Sequence, residues 1–191
     1  MDENISRGEQ ERLNRLKAMR SRRIKTALVW FMIVTVIAGA VYALVVWSKS
    51  MSKNKPGEAV PEMASRDHIP PESPRPEYNT NPPTSGNHYA QPANWGIYAE
   101  ALPDEQLVHN LEHGGIWISY RDPGNVELVE QLKNIADDYS LKVIMTARPQ
   151  NDSAIAVAAW GRLLKLENFD EPQIRGFIGA FINRGPEQVP Y

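Results

Sequence analysis

Three of the four histidines in the chain fall in two short segments and could supply ligands for a metal ion. His88 lies in the segment PPTSGNHY, and His109 and His113 lie in HNLEHGG. Histidines four residues apart on a helix stack on one face, with Cβ atoms about 5–6 Å apart, so both imidazoles can reach one ion at about 2.0–2.1 Å. Leu107 and Leu111 then point roughly the opposite way, toward a core. This arrangement favours a metal-binding pair over histidines that only fix a helix end through hydrogen bonds.

Two further side chains complete the candidate ligand set. His88 is the candidate third ligand, brought in by a Ser-Gly turn that must fold back on the domain. Met145 is the candidate fourth ligand because it lies on a predicted strand next to that of residues 116–120, although filling the core is the commoner role of a methionine. The remaining histidine, His68, lies in a proline-rich stretch, where we expect it to be solvated.

The types of ligand separate the candidate metals. Imidazoles with or without a thioether, and without carboxylate or thiolate, suit copper, particularly Cu(I). Imidazoles combined with Glu112 and a water molecule suit zinc instead. The segment HNLEH also matches the H-x-x-E-H pattern of zinc proteases, in which Glu112 would activate a metal-bound water. Such proteases need a further carboxylate ligand and a substrate cleft, and the 78 residues after His113 leave little room for both. We therefore favour copper over a zinc hydrolase.

Short helices and strands must position these residues. Residues 103–113 are predicted to form a helix, with Asp104 as its N-cap and Gly114-Gly115 as its stop. Apolar periodicity predicts strands at 116–120, 141–147 and 155–160, and helices at 124–139 and from near residue 170 to 185. A strand, a crossover helix and a strand imply a parallel pair with a right-handed connection. The predicted fold class is α/β, with α+β possible, built on a small sheet of about three strands packed with helices.

Residues 26–47 form an apolar run of 22 residues without a charge. At about 1.5 Å per residue this run reaches roughly 33 Å, enough to cross a hydrocarbon core of about 30 Å. It is longer than the apolar part of a signal peptide, so we predict a retained transmembrane helix. Eight Lys and Arg residues precede the run and three follow it closely. This asymmetry predicts a cytoplasmic N-terminus and an extracytoplasmic domain.

The predicted organisation is a basic cytoplasmic tail (1–25), the transmembrane helix (26–47), a proline-rich extracytoplasmic linker (48–77) and an extracytoplasmic globular domain (78–191). Nine prolines between residues 56 and 92 exclude a helix there. The chain has no cysteine, which excludes disulfides, thiolate metal sites and cysteine nucleophiles. Residues 56–191 carry 19 acidic and 10 basic side chains, which argues against nucleic acid as a partner. The expected partner is membrane lipid.

Several motifs resemble those of a bacterial family of unknown function. They are NPPTSGNHY, NWGIY, LPDEQLVHNLEHGGIWISY and IMTARP, and the likeness covers most of residues 76–186. Members of that family are commonly tethered by one N-terminal membrane helix. The resemblance implies that His88, His109 and His113 occupy signature positions and that Met145 lies in a later strand motif. It supplies no activity, so the metal hypothesis rests on the chemistry of the residues.

The residues support three hypotheses of function. The favoured one is a single-pass protein of the bacterial cell membrane whose extracytoplasmic domain binds a metal ion, copper in particular, and stores, senses or passes it without catalysing a reaction. The second is an accessory or structural subunit of a larger membrane protein complex, in which the histidines are structural. The third is a zinc hydrolase that uses Glu112.

Overall fold

A computed structural model describes residues 7–53, 56–139 and 141–187. The chain divides into two compact units, Met1–Asn54 and Lys55–Tyr191. The first unit holds one long helix, α1 (Arg7–Lys53). Its segment Arg22–Val46 is long and apolar enough to cross a membrane, by length and composition alone. The basic residues from Arg7 to Lys25 belong to the same helix, whereas residues 1–6 lie outside the described part.

The second unit is built on a six-stranded mixed sheet with the strand order β1-β8-β7-β5-β6-β4. A separate two-stranded sheet is formed by β2 and β3. The strands are β1 (Glu58–Ala59), β2 (His68–Ile69), β3 (His88–Tyr89), β4 (Gly96–Tyr98), β5 (Ile116–Tyr120), β6 (Val143–Ala147), β7 (Ile155–Ala159) and β8 (Arg162–Leu166); the helices are α2 (Asp104–Glu112), α3 (Val126–Asp137) and α4 (Glu171–Phe181).

The predicted α/β class is confirmed, and so is the parallel pairing of β5 with β6 through the crossover helix α3. The strands β5, β6 and β7 are buried at every residue, which explains their nearly continuous apolar sequences. Asn125 caps α3 by accepting a hydrogen bond from the Leu128 amide, and Asp170 caps α4 by accepting one from the Gln173 amide. Such side chains are typical signals of a helix start.

The sheet is larger than the predicted three strands. Both β1 and β4 have only two or three residues, too few to give a periodic signal. In β8 the charged residues Arg162 and Lys165 interrupt the apolar pattern. The strand forms an antiparallel hairpin with β7, and the turn between them places Gly161 at φ +63°, a conformation that favours glycine.

The helices cover both faces of the sheet. On one face α3 and α4 pack with alternate residues of the strands, among them Ile118 and Met145. On the other face the α2 residues Leu107 and Leu111 pack with Trp117 and Ile144. Both leucines are fully buried, as predicted. The leucines of α2 face the sheet, so the histidines of α2 lie on the side of the helix that faces away from it.

The proline-rich stretch packs against the globular unit. β1 pairs with β8, and Val60, Thr84 and Ser85 are buried. The unit thus begins at Lys55 and includes most of the residues that we assigned to a linker. Its irregular backbone carries two histidines, one in β2 and one in β3, to the helix α2.

The prediction that Asp104 caps α2 is wrong. The N-cap is Pro103, and no side chain of the described residues forms a capping hydrogen bond there. The carboxylate of Asp104 instead accepts hydrogen bonds from Arg148 Nε at 2.9 Å and Arg148 Nη2 at 2.8 Å, and it also pairs with Arg75. A buried guanidinium offers this carboxylate an opposite charge and two parallel hydrogen bonds, which a single backbone amide cannot offer.

Candidate metal centre

The helix α2 places His109 and His113 side by side. The two rings are nearly perpendicular, with centroids 4.5 Å apart, and the two Nε2 atoms lie 3.2 Å apart. Two nitrogens bound to one tetrahedral ion at about 2.0–2.1 Å are separated by about 3.3 Å. The predicted pairing of these two histidines on one helix face is therefore present, at a separation that suits a shared ion.

The small sheet brings two more histidines to the same place. In the parallel pair of β2 and β3, His68 is in register with His88. The ring of His88 lies 5.0 Å from that of His109, and the ring of His68 lies 5.0 Å from both. All four histidines of the chain thus contribute to one cluster, which we call the histidine cluster.

Hydrogen bonds to backbone carbonyls fix two of the rings. His88 Nδ1 lies 2.8 Å from the carbonyl oxygen of Gly86, and His109 Nδ1 lies 2.6 Å from that of Tyr89. Since a carbonyl only accepts, both Nδ1 atoms carry a proton and donate it. When the two rings are neutral, each Nε2 then presents a lone pair to the cluster. This arrangement is typical of histidines that bind metals.

The carboxylate of Glu112 lies against the buried ring of His88. Its Oε2 is 3.0 Å from His88 Nε2, and its Oε1 is 3.7 Å from Arg66 Nη1. Both side chains are almost fully buried, yet His88 Nε2 finds no hydrogen-bond partner of suitable geometry among the described residues. With the ring of His88 neutral, a nitrogen lone pair and a carboxylate face each other out of contact with water, a costly arrangement that a cation would relieve.

Two groups of side chains in the described residues could hold a metal ion. One consists of His68, His88 and His109, and the other of His109, Glu112 and His113; within each group the ligand atoms lie within 4.8 Å of one another. The three predicted histidines are thus brought together, but not as one group, because His88 and His113 are in different groups. His109 belongs to both.

Comparison with known proteins places the chain in a family. The family described as "Protein of unknown function (DUF3105)" matches residues 71–190. The chain belongs to this family. No curated protein and no solved structure matches the chain.

The DUF3105 match takes in most of the histidine cluster. His88, His109, Glu112 and His113 fall within residues 71–190, whereas His68 lies three residues before them. The family description carries no activity.

His68, just before the DUF3105 domain, completes the first group, a role that the sequence did not predict for it. The residue is exposed, but its ring stacks on that of His109 at an interplanar angle of 9°. Its sequence signal was weak, because a histidine and an isoleucine before a proline pair are too short a run to predict a strand. The pairing of two-residue strands depends on contacts between distant segments, which the local pattern does not encode.

Met145, by contrast, does not lie with the histidines. It is fully buried on β6, among the core residues packed against α3 and α4. The α2 helix and its histidines cover the opposite face of the sheet. Alternate residues of a strand point to opposite faces, so the thioether of Met145 fills the core of the DUF3105 domain and is not a ligand of the cluster.

The environment of His109 favours its neutral form. Burial lowers the pKa of His109 below its ordinary value, and repulsion from His113, His88 and His68 lowers it further, although the hydrogen bond to Tyr89 acts in the opposite direction. A neutral imidazole is the form that binds a metal. The central histidine of the cluster is thus held in this neutral form at neutral pH.

The C-terminal segment of the DUF3105 domain closes the other side of the cluster. Glu187 Oε2 lies 3.4 Å from His113 Nε2. The backbone approach that brings it there is close, because a Cβ at Gly185 would clash with the carbonyl oxygen of Glu112. Asn183 also donates its amide hydrogen to the Gly114 carbonyl at 2.8 Å. Glycine at 185 therefore permits the contact that places Glu187 beside His113.

Proposed function

We propose that this protein is a single-pass, membrane-anchored metal-binding protein whose domain lies outside the cytoplasm and uses the histidine cluster to bind copper. The apolar segment Arg22–Val46 supports the anchor. The excess of Lys and Arg before this segment supports a cytoplasmic N-terminus. Membrane lipid is then the partner of the first unit.

One observation carries the metal-binding proposal. His88 is fully buried and donates from Nδ1 to Gly86, and its Nε2 has no hydrogen-bond partner among the described residues but lies 3.0 Å from the Glu112 carboxylate. A histidine that only stabilised the fold would have a partner for this buried nitrogen. A cation bound by this nitrogen and by His109 Nε2 would satisfy the lone pair of His88 and offset the charge of Glu112.

The choice of copper rests on the ligand types. The group of His68, His88 and His109 supplies three imidazoles and no carboxylate. Among divalent first-row ions, a given nitrogen and oxygen site binds Cu²⁺ most tightly. Without the thioether of Met145, the cluster lacks the soft ligand that Cu(I) prefers. Zinc is the alternative, because the second group adds the carboxylate of Glu112 to two imidazoles.

Equilibrium titration with Cu²⁺ tests the proposal on the full chain in detergent. We expect tight, saturable binding by the wild type and a loss of at least about 100-fold in affinity for His109→Ala, since even residues that only orient a ligand contribute about 10- to 100-fold. The variant His109→Gln repeats the test with a side chain that can still donate to Tyr89. Met145→Leu is the matched control, and its affinity should not change. Wild-type binding no tighter than that of His109→Gln would refute the proposal.

A zinc hydrolase is the second candidate, favoured by one observation. Glu112 lies in a group with His109 and His113, as the H-x-x-E-H pattern requires of a carboxylate that activates a metal-bound water. Loss of hydrolysis in Glu112→Gln, with zinc still bound, would establish this candidate in place of the first.

A further inference from the structure

The two ligand groups share one residue, His109. We propose that they are alternative binding positions for a single ion, which passes between them by ligand exchange around His109. This inference rests on the proposed metal-binding function. It specifies how the site handles the ion: the chain transfers a metal ion from one set of ligands to another.

The hydrogen bond of His109 limits the cluster to one ion. Its Nδ1 lies 2.6 Å from the carbonyl oxygen of Tyr89 and donates a proton to it, so Nε2 is the nitrogen that can bind a metal. This nitrogen has a single lone pair in the plane of the ring. His109 belongs to both groups, so each group would use this lone pair, and two ions cannot use it at the same time.

The two positions differ in their ligands. At the first, the ion is bound by the imidazoles of His68, His88 and His109; at the second, by the imidazoles of His109 and His113 and the carboxylate of Glu112. Exchange breaks the bonds to His68 and His88 and forms a bond to one nitrogen and one oxygen. No electron is transferred. His113 binds through Nε2 in the neutral tautomer that carries its proton on Nδ1.

Glu112 is placed to assist this exchange. Its Oε2 lies 3.0 Å from His88 Nε2, and it also belongs to the group of His113. The carboxylate therefore touches a ligand of the first position while serving as a ligand of the second. An ion leaving His88 has an anionic oxygen within reach, which lowers the cost of the intermediate arrangement.

Each position reaches the surface through a different residue. His68 is exposed and borders a pocket of about 540 Å³ formed with Ile69, Pro70, Pro71 and Tyr89. His113 is partly exposed beside Glu187, whose side chain is half exposed. An ion could thus be loaded through His68 and released past His113, or the reverse, without the buried His88 and His109 becoming solvated.

Electron paramagnetic resonance of bound Cu²⁺ tests the inference on the full chain in detergent. We expect the wild type to bind one ion. His68→Ala and His113→Ala should each still bind one ion, because each retains the other position, but with different spectra. The spectrum of His113→Ala should show three nitrogen ligands, and that of His68→Ala should show oxygen coordination. The double variant should lose at least about 100-fold in affinity.

Three outcomes would overturn the inference while leaving the proposed function standing. They are two ions bound by the wild type, identical spectra for the two single variants, and loss of the ion from either single variant. Failure of the wild type to bind Cu²⁺ would overturn the proposed function as well. Because His68 and His113 are not in the core, both variants should fold, and an unchanged unfolding temperature of the metal-free proteins would verify this.

Discussion

Two clusters of buried polar side chains lie in the globular unit, and they differ in how their hydrogen-bonding atoms are paired. In the first, which we call the arginine network, Arg148 donates two hydrogen bonds to Asp104 and others to Asn81 and Asn151. Its guanidinium also lies 5.6 Å from the ring of Trp117. In the histidine cluster, by contrast, His88 Nε2 has no hydrogen-bond partner among the residues that the structure describes, although the Glu112 carboxylate lies 3.0 Å away.

This difference distinguishes a cluster that stabilises the fold from one that is suited to bind an ion. A fully paired polar network stabilises and orients the parts that it joins, and it needs nothing further. The arginine network joins α2, the segment after β6 and the segment around residues 75–81 in this way. A cluster with an unpaired nitrogen turned toward a carboxylate is stable only at some cost, and that cost is offset when a cation binds. Four measurements would test the contrast between the two clusters.

Breaking the arginine network should have the largest effect on stability. Arg148→Met leaves the buried carboxylate of Asp104 with the half-exposed Arg75 as its charged partner. We expect the free energy of unfolding to fall by about 3 kcal/mol or more, measured by chemical denaturation of the full chain in detergent. Arg121→Ala, which removes a surface pair with Glu167, is the control and should cost less than about 1 kcal/mol. Equal effects of the two variants would contradict the role of the network.

Metal should stabilise the protein through the histidine cluster alone. At a free Cu²⁺ concentration of about 100 times the dissociation constant, the wild type should gain about 2.7 kcal/mol. His109→Gln should gain almost nothing, whereas Arg148→Met should gain as much as the wild type, because the arginine network does not include the proposed ligands. Thermal unfolding with and without a chelator measures the gain. If His109→Gln were stabilised by Cu²⁺ as much as the wild type, the ion would bind outside the histidine cluster.

Glu112→Gln should stabilise the metal-free protein and weaken its binding of Cu²⁺. The amide nitrogen of glutamine can donate to His88 Nε2, which lies 3.0 Å from the present carboxylate oxygen, so the metal-free protein should gain up to about 1 kcal/mol. Affinity for Cu²⁺ should fall by about 10- to 100-fold, because a ligand or orienting carboxylate is lost. Denaturation and titration of the same sample measure both. A less stable metal-free variant would show that His88 and Glu112 form a satisfied pair instead.

The smallest expected effect is on the pH dependence of the stability of the metal-free protein. The pKa of His109 is lower in the folded protein than its ordinary value, so the unfolded chain binds more protons at mildly acid pH. The stabilisation that comes from keeping His109 neutral is complete above about pH 6.5 and is lost as the pH falls through the folded pKa. We expect the metal-free wild type to lose stability below that pH more steeply than His109→Gln. Parallel pH profiles of the two proteins would contradict the lowered pKa.

Most of the regular structure could be predicted from local patterns. The apolar run that forms the middle of α1, the apolar strand β5 and the spacing of the leucines in α2 are properties of neighbouring residues. The separation of four between His109 and His113 likewise fixes their common face once the helix forms. His88 also lies in the cluster, where the Ser-Gly turn before it was expected to bring it.

What the local pattern could not decide was which distant residues meet. The sequence alone determined an apolar N-terminal helix, an α/β domain and a pair of histidines on one helix face, because these depend on periodicity within single elements. Only the tertiary structure added His68 through the register of β2 and β3, moved Met145 to the opposite face of the sheet, and engaged Asp104 with Arg148. Each of these depends on pairing between segments far apart in the chain, and that pairing is set by the packing of the whole domain.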